Sequence, residues 1–150
     1  MTAAAGRRSV GGTAMEFAIV RQVSIALENH PGALHRAAAE LARHGINIHG
    51  LSVLDSIDQG VVRLLTSDAA RAREVLAGIG LRLMDAEVFE FDLSDEPGRL
   101  AEVCRALAEG GVNIDYAYGT SERVARRMRM LLRASPVERA REILLKLPPA

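Results

Sequence analysis

Apolar positions along the chain change their period several times, and each change marks the start of a new element. Over residues 17–28, Val23, Ile25 and Leu27 alternate with Ser24, Ala26 and Glu28. This is the two-residue period of a strand with one face buried. Pro31-Gly32 then opens a run in which Leu34, Ala37, Ala38, Leu41 and Ala42 recur at helical spacing until Gly45. Proline is tolerated in the first turn of a helix and glycine just past its end, so an amphipathic helix is expected. Residues 46–56 and 60–66 read as two strands joined by a turn through Asp58-Gln59-Gly60. A second helix is expected over 68–79, with Ala72, Val75, Leu76 and Ile79 inward, and a strand near 81–87.

The same βαββαβ order then recurs. Strands are expected near 88–94, 112–119 and 124–133, and helices near 98–109 and 136–146. Phe89, Phe91 and Leu93 alternate cleanly with Glu90, Asp92 and Ser94, which gives that sheet one buried and one polar face. The closing strand of the second set is missing or short, because the chain runs out in Lys146-Leu147-Pro148-Pro149-Ala150 and proline cannot donate to a ladder. The order predicts an α+β fold of two ferredoxin-like units, each an antiparallel sheet with its helices on one face. A flexible tail is expected over 1–14, a first unit over 15–87 and a second over 88–150.

An internal repeat supports the two-unit reading. Residues 27–48 laid over 93–114, a shift of 66, agree at nine of 22 positions, including Pro, Gly and Asn. Residues 67–76 laid over 135–144, a shift of 68, agree at six of ten. Two blocks in the same order are two copies of one module. A module of about 70 residues is marginal alone, so association of units, within or between chains, is expected.

Composition narrows the class of function. The chain has 150 residues, 19 basic and 19 acidic, and 49% apolar residues, enough for a substantial core. A balanced charge offers no electrostatic grip on nucleic acid or anionic lipid, and the absence of Trp with only 3% aromatics removes stacking platforms. No apolar run approaches the roughly 18 residues of a spanning helix, and Arg7-Arg8 is followed by Gly, Ser and Thr rather than an apolar signal region. The lone Cys104 cannot make an internal disulfide, which leaves the cytoplasm as the expected compartment. No membrane or nucleic-acid partner is expected.

The repeated motif (N/D)-x-P-G-x-L, then about three helical turns, then G-(I/V)-N-I, resembles the ACT domain, a small regulatory module that binds amino acids. Here it stands as Asn29-His30-Pro31-Gly32-Ala33-Leu34 with Gly45-Ile46-Asn47-Ile48, and as Asp95-Glu96-Pro97-Gly98-Arg99-Leu100 with Gly111-Val112-Asn113-Ile114. The resemblance spans about 15–147 and the layout is similar to stand-alone tandem ACT proteins. Residues 26–53 also resemble the opening of the small regulatory subunit of acetolactate synthase, whose second half is not normally so close a copy of its first.

What the resemblance implies is a non-catalytic regulator that binds a free amino acid where ACT units meet, forms a homodimer, and acts in trans on a partner such as a biosynthetic enzyme. Ligand contacts transfer to Asn29, His30, Pro31, Gly32, Ala33, Leu34, Asn47 and Ile48, and in the second unit to Asp95, Glu96, Gly98, Leu100 and Asn113. The physical reasons are general: a helix N-terminus presents free N–H groups and a positive dipole end to a carboxylate, glycine permits close approach, and an amide serves either pole of a zwitterion. Asp95 and Glu96 would repel a carboxylate where Asn29 and His30 do not, so the two sites are not expected to be equivalent.

Each of these residues also has a structural reading. Asn29 and Asp95 are helix-capping types, and Asn47 and Asn113 can bond their own turns. Tyr116, just past Asn113, could wall a pocket or pack an interface. The four histidines, His30, His35, His44 and His49, lack a thiol or carboxylate framework, so no metal and no cofactor is expected. Cys104 aligns with Ala38 on an apolar helix stripe and reads as packing. Arg123, Arg126, Arg127, Arg129 and Arg133 form a basic cluster; on a strand Arg127, Arg129 and Arg133 share a face that should meet Glu90 and Asp92. No nucleophile, base and orienter can be assembled, so catalysis is not expected. A purely structural oligomerisation module is the remaining alternative.

Overall fold

A computed structural model describes residues 14–54, 59–122 and 124–149. Along these residues the elements run β1 (Phe17–Glu28), α1 (Ala33–Arg43), β2 (Ile48–Leu54), β3 (Gln59–Thr66), α2 (Ala69–Gly78), β4 (Arg82–Ser94), α3 (Arg99–Glu109), β5 (Asn113–Glu122), β6 (Arg127–Ser135) and α4 (Val137–Leu144). The expected tail over residues 1–13, the turn over 55–58 and Arg123 lie outside the described residues. Gln59 and Gly60, expected in that turn, are the first residues of β3. The chain divides into two compact units, one of Arg21–Ala86 and one of Glu87–Ala150 together with the residues up to Val20.

In the unit Arg21–Ala86, β3 pairs antiparallel with β1, placing Ile25 opposite Val62, and with β2, placing Leu51 opposite Leu64. The alternation seen in the sequence sends Val23, Ile25 and Leu27 to the same face as Val62 and Leu64. Ala37 and Leu41 of α1, and Ala72 and Leu76 of α2, each four residues apart and hence one turn above the other, close that core. Both helices therefore cover one face of the sheet. Asp68 caps α2 by accepting the Arg71 N–H at 3.0 Å.

The second unit is built the same way. Phe89 faces Leu132 and Phe91 faces Met130 across β4 and β6, and β5 pairs with β6. Val103 and Leu107 of α3 and Ala140 and Leu144 of α4 complete the core. On the polar face Arg129 meets Asp92 at 3.2 Å, Arg127 meets Asp92 at 3.7 Å and Arg133 meets Asp115 at 3.4 Å. Three of the five arginines in the basic cluster, Arg127, Arg129 and Arg133, are thus paired across strands, as their shared face predicts.

Two features differ from the sequence reading. The strands expected at 81–87 and 88–94 are one strand, β4, because Met84-Asp85-Ala86-Glu87 holds neither Gly nor Pro and its one turn-forming type, Asp85, is tied instead to Arg73 at 2.7 Å. No strand follows α4 among the described residues, and residues counted with the first repeat by their order in the chain pack in the second unit instead. Met15 is buried there and donates its N–H to Leu147 O at 2.8 Å, and Phe17 meets Phe89 edge-on at 5.4 Å. In this unit the strand order is β1-β4-β6-β5, so the head of β1 takes the place of the absent closing strand. Pro148 and Pro149 cannot donate to a ladder, whereas Phe17–Val20 is apolar and already extended.

Candidate functional site

The loop from β1 to α1 is a tight reversal built from four residues. After Glu28 the chain turns with His30 N–H on Glu28 O at 3.0 Å and Ala33 N–H on His30 O at 3.3 Å. Pro31 fixes one backbone angle, and Gly32 adopts φ 92°, ψ −15°, a left-handed conformation that strains any residue with a Cβ. Gly32 O then accepts the Arg36 N–H at 2.9 Å, and α1 begins. The loop from β4 to α3 repeats this geometry: Glu96 N–H on Ser94 O at 2.9 Å, Arg99 N–H on Glu96 O at 3.4 Å, and Gly98 at φ 97°, ψ −21°. The N-caps are Gly32 and Gly98, not Asn29 and Asp95 as the capping reading has it. Pro-Gly delays the start of each helix to the residue after the glycine, three residues too late for an Asn or Asp at the loop's start to occupy the cap position.

In the first unit this loop borders a cavity of about 380 Å³. Its walls are Ala26, Leu27 and Glu28 at the end of β1, His30 in the loop, Gly32, Ala33, Arg36 and Ala37 at the start of α1, Gln59 of β3, Ile79, Gly80 and Leu81 between α2 and β4, and Arg82 at the start of β4. The floor is apolar and the rim is charged. Arg36 reaches across it, donating from Nη2 to Ile79 O at 2.9 Å. His30 Nε2 lies 3.3 Å from Glu28 Oε2, and its Nδ1 is 3.0 Å from Pro31 O, which makes the ring a bridge along the loop. Among the expected ligand contacts, His30, Gly32 and Ala33 line this cavity.

The others stand elsewhere. Asn29 and Pro31 flank the lining in the same loop and are exposed, and Leu34 points outward from α1, 38% exposed. Asn47 Oδ1 accepts the Ile48 N–H at 3.0 Å while its backbone bonds Ser67, and Ile48 packs against the core. In the second unit Asp95 Oδ2 accepts the Ser121 hydroxyl at 2.6 Å and Glu96 accepts that of Ser94 at 3.4 Å. Leu100 matches Leu34 in place and exposure. Asn113 Nδ2 donates to Asp115 at 2.9 Å, and Tyr116 is half-buried on β5 opposite Arg133.

The repeat, the two Pro-Gly loops of matching geometry and the βαββαβ order find their counterpart among known proteins: a family model described as the ACT domain pair matches residues 18–147. The chain belongs to the ACT domain pair family. Among solved structures it is similar to protein BT0572 from Bacteroides thetaiotaomicron, at 28% identity and a TM-score of 0.79, covering 84% of this chain and 86% of that one. It is also similar to the ligand-free regulatory subunit of aspartate kinase from Thermus thermophilus, at 21% identity and a TM-score of 0.63 over 85% and 91% of the two chains. The corresponding subunit from Thermus flavus gives 22% identity and a TM-score of 0.60 over 88% and 96%. No curated protein matches the chain significantly.

Within this ACT pair the sequence reading missed Ala26–Glu28, Arg36, Ala37, Gln59 and Ile79–Arg82. Arg36 was within reach, since four residues beyond Gly32 is one turn along the same helix face. Gln59 and the α2–β4 segment join the site only through tertiary packing. Among the described residues no three His, Cys, Asp or Glu side chains converge as metal ligands would, and no helix is long and apolar enough to cross a membrane. Cys104 is a free, half-buried thiol on α3.

Proposed function

We propose that this ACT pair is a non-catalytic regulator that binds a free amino acid in the cavity at the start of α1 and acts in trans on an enzyme of amino-acid metabolism. The observation that carries the reading is the convergence, on one cavity, of a helix N-terminus opened by Gly32, a guanidinium from Arg36 and a carboxylate from Glu28. Those three groups match the poles of an amino acid. The α-carboxylate takes the helix N-terminus and Arg36, the ammonium takes Glu28, and neither charge is buried unpaired. Leu27, Ala37, Ile79 and Leu81 give the rest of the ligand an apolar floor.

Action on a partner follows from differential binding. A ligand that touches both α1 and the Ile79–Arg82 segment favours the arrangement in which those two elements are clasped, the same pair that the Arg36–Ile79 bond already ties. A coupling of about 1–3 kcal/mol is typical of such regulation. The similarity to regulatory subunits of aspartate kinase supports a chain that works on a catalytic partner, and a homodimer is the simplest assembly. The resemblance of residues 26–53 to the acetolactate synthase small subunit points to the same mode of action on a different enzyme.

A thermal-shift screen of the purified protein against the twenty amino acids tests this reading. A ligand at 100 times its Kd adds about 2.7 kcal/mol, a rise of several degrees in Tm. The expected result is a selective hit that Arg36→Gln abolishes while the unliganded melt of that variant stays cooperative. A flat response to all twenty at millimolar concentration overturns it.

A further inference from the structure

The charges around the first-unit cavity do not balance. Arg36 and Arg82 are cations and Glu28 is the one carboxylate in the lining, so with His30 neutral the walls carry one net positive charge. Glu28 is already approached by His30. Arg36 spends one N–H on a carbonyl, Ile79 O, and among the described residues neither Arg36 nor Arg82 has a carboxylate partner. Arginines elsewhere in the chain are commonly paired, as Arg73 is with Asp85 at 2.7 Å and Arg139 with Glu142 at 3.0 Å.

The second unit shows what the same helical turn looks like when its cation has a carboxylate on its own helix. The positions of Ala33 and Arg36 are there held by Arg99 and Glu102, and Arg99 Nη1 meets Glu102 Oε2 at 2.6 Å. That turn carries its own counter-ion. The first unit's turn carries Arg36 without a carboxylate beside it, and Arg82 is a second cationic residue in the same lining.

A neutral amino acid would occupy one guanidinium with its α-carboxylate and leave the other facing the cavity without a partner. We infer that the cavity selects an amino acid with an acidic side chain, its α-carboxylate held at the start of α1 with Arg36, its ammonium at Glu28 and its side-chain carboxylate at Arg82. This rests on the amino-acid-binding reading above and adds the class of ligand to it. Planar guanidinium–carboxylate pairs are directional and stronger than neutral hydrogen bonds, so the corresponding amide is discriminated against.

Isothermal titration calorimetry of the full chain with L-aspartate, L-glutamate, L-asparagine, L-glutamine, L-lysine and succinate tests it. The expected result is that one acidic amino acid binds at least about tenfold tighter than its amide and than L-lysine, and that succinate, without an ammonium, binds correspondingly weaker. Arg82→Gln should bring the acid-to-amide ratio close to one while leaving the unliganded melt in place, since Arg82 is exposed. An amide or L-lysine binding as tightly as the acids overturns the selection and leaves amino-acid binding standing. An unchanged ratio in Arg82→Gln overturns it as well. Succinate binding as tightly as aspartate, or no amino acid binding at millimolar concentration, overturns the amino-acid reading itself.

Discussion

Gly32 and Gly98 hold one backbone geometry in two loops of different chemistry. Both sit in the left-handed region, and a Cβ built on either would have no heavy atom within 4 Å, so the cost of Gly→Ala at both is backbone strain alone. That cost is about 1–2 kcal/mol, a fall of a few degrees in Tm for a chain of this size. Gly32 lines the cavity and its substitution also places a methyl where the ligand's carboxylate should lie. Paired variants separate the two effects: similar loss of Tm in Gly32→Ala and Gly98→Ala, with amino-acid affinity falling severalfold only in the first. Equal loss of affinity in both would mean that binding follows stability and that the cavity at α1 is not the site. These glycines were legible in the sequence because the Pro-Gly pair recurs. The role of Asn47 was not. Its residue type suits a ligand and a turn equally, and what decides the matter is Ser67, twenty residues away, whose hydroxyl receives the Asn47 N–H and holds the turn while Oδ1 takes Ile48.

At the level of elements, period alone placed the strands and helices to within a few residues, since Val23, Ile25 and Leu27 on β1 and Ala37 and Leu41 on α1 carry the two repeats of their elements, although Leu34, counted on the same stripe, is exposed. Which unit a strand serves is a different question. β1 and β4 each run through a unit boundary, and in β1 the mark of it is Arg21, a charged and exposed residue at the parity of Phe17 and Ile19, which pack in the core of Phe89 and Leu93, and of Val23 and Ile25, which pack in the core of Val62 and Leu64. Which partner strands each half of β1 meets is decided by closure of the sheet in each unit. A chain beginning at Arg21 should therefore damage the unit farther along the sequence. Losing Met15, Phe17 and Ile19 removes three apolar side chains from that core, at about 2–5 kcal/mol for each large buried one, against a total stability of about 5–15 kcal/mol. Hydrogen exchange should show protection lost first across β5, β6, α3 and α4, with α1 and α2 still protected. Undiminished protection in β6 would refute the role given to the head of β1.

For the molecule as a whole, the sequence repeat suggests two sites per chain, and the polar contacts argue for one. In the first unit Arg36 and Glu28 face a cavity and are engaged only by a carbonyl and by His30. In the second, every charged group of the matching loop and turn is bound within its own unit. Asp95 holds Ser121, Glu96 holds Ser94, and Arg99 is divided between Glu102 and Pro149 O, the latter at 2.9 Å. A ligand entering there would have to break the 2.6 Å Arg99–Glu102 contact and then meet the negative charges of Asp95, Glu96 and Glu102, where the first unit offers a ligand's carboxylate Arg36 and Arg82, neither of them bound to a carboxylate among the described residues. The repulsion of like charges and the loss of made bonds act in the same direction. Calorimetry should accordingly give one site per chain, and Arg99→Ala should not create a second, since removing the arginine leaves three carboxylates without a cation. Two sites of equal affinity would show that the internal bonds of the second loop are weaker than the ligand's, and would restore the symmetry that the repeated motif suggests.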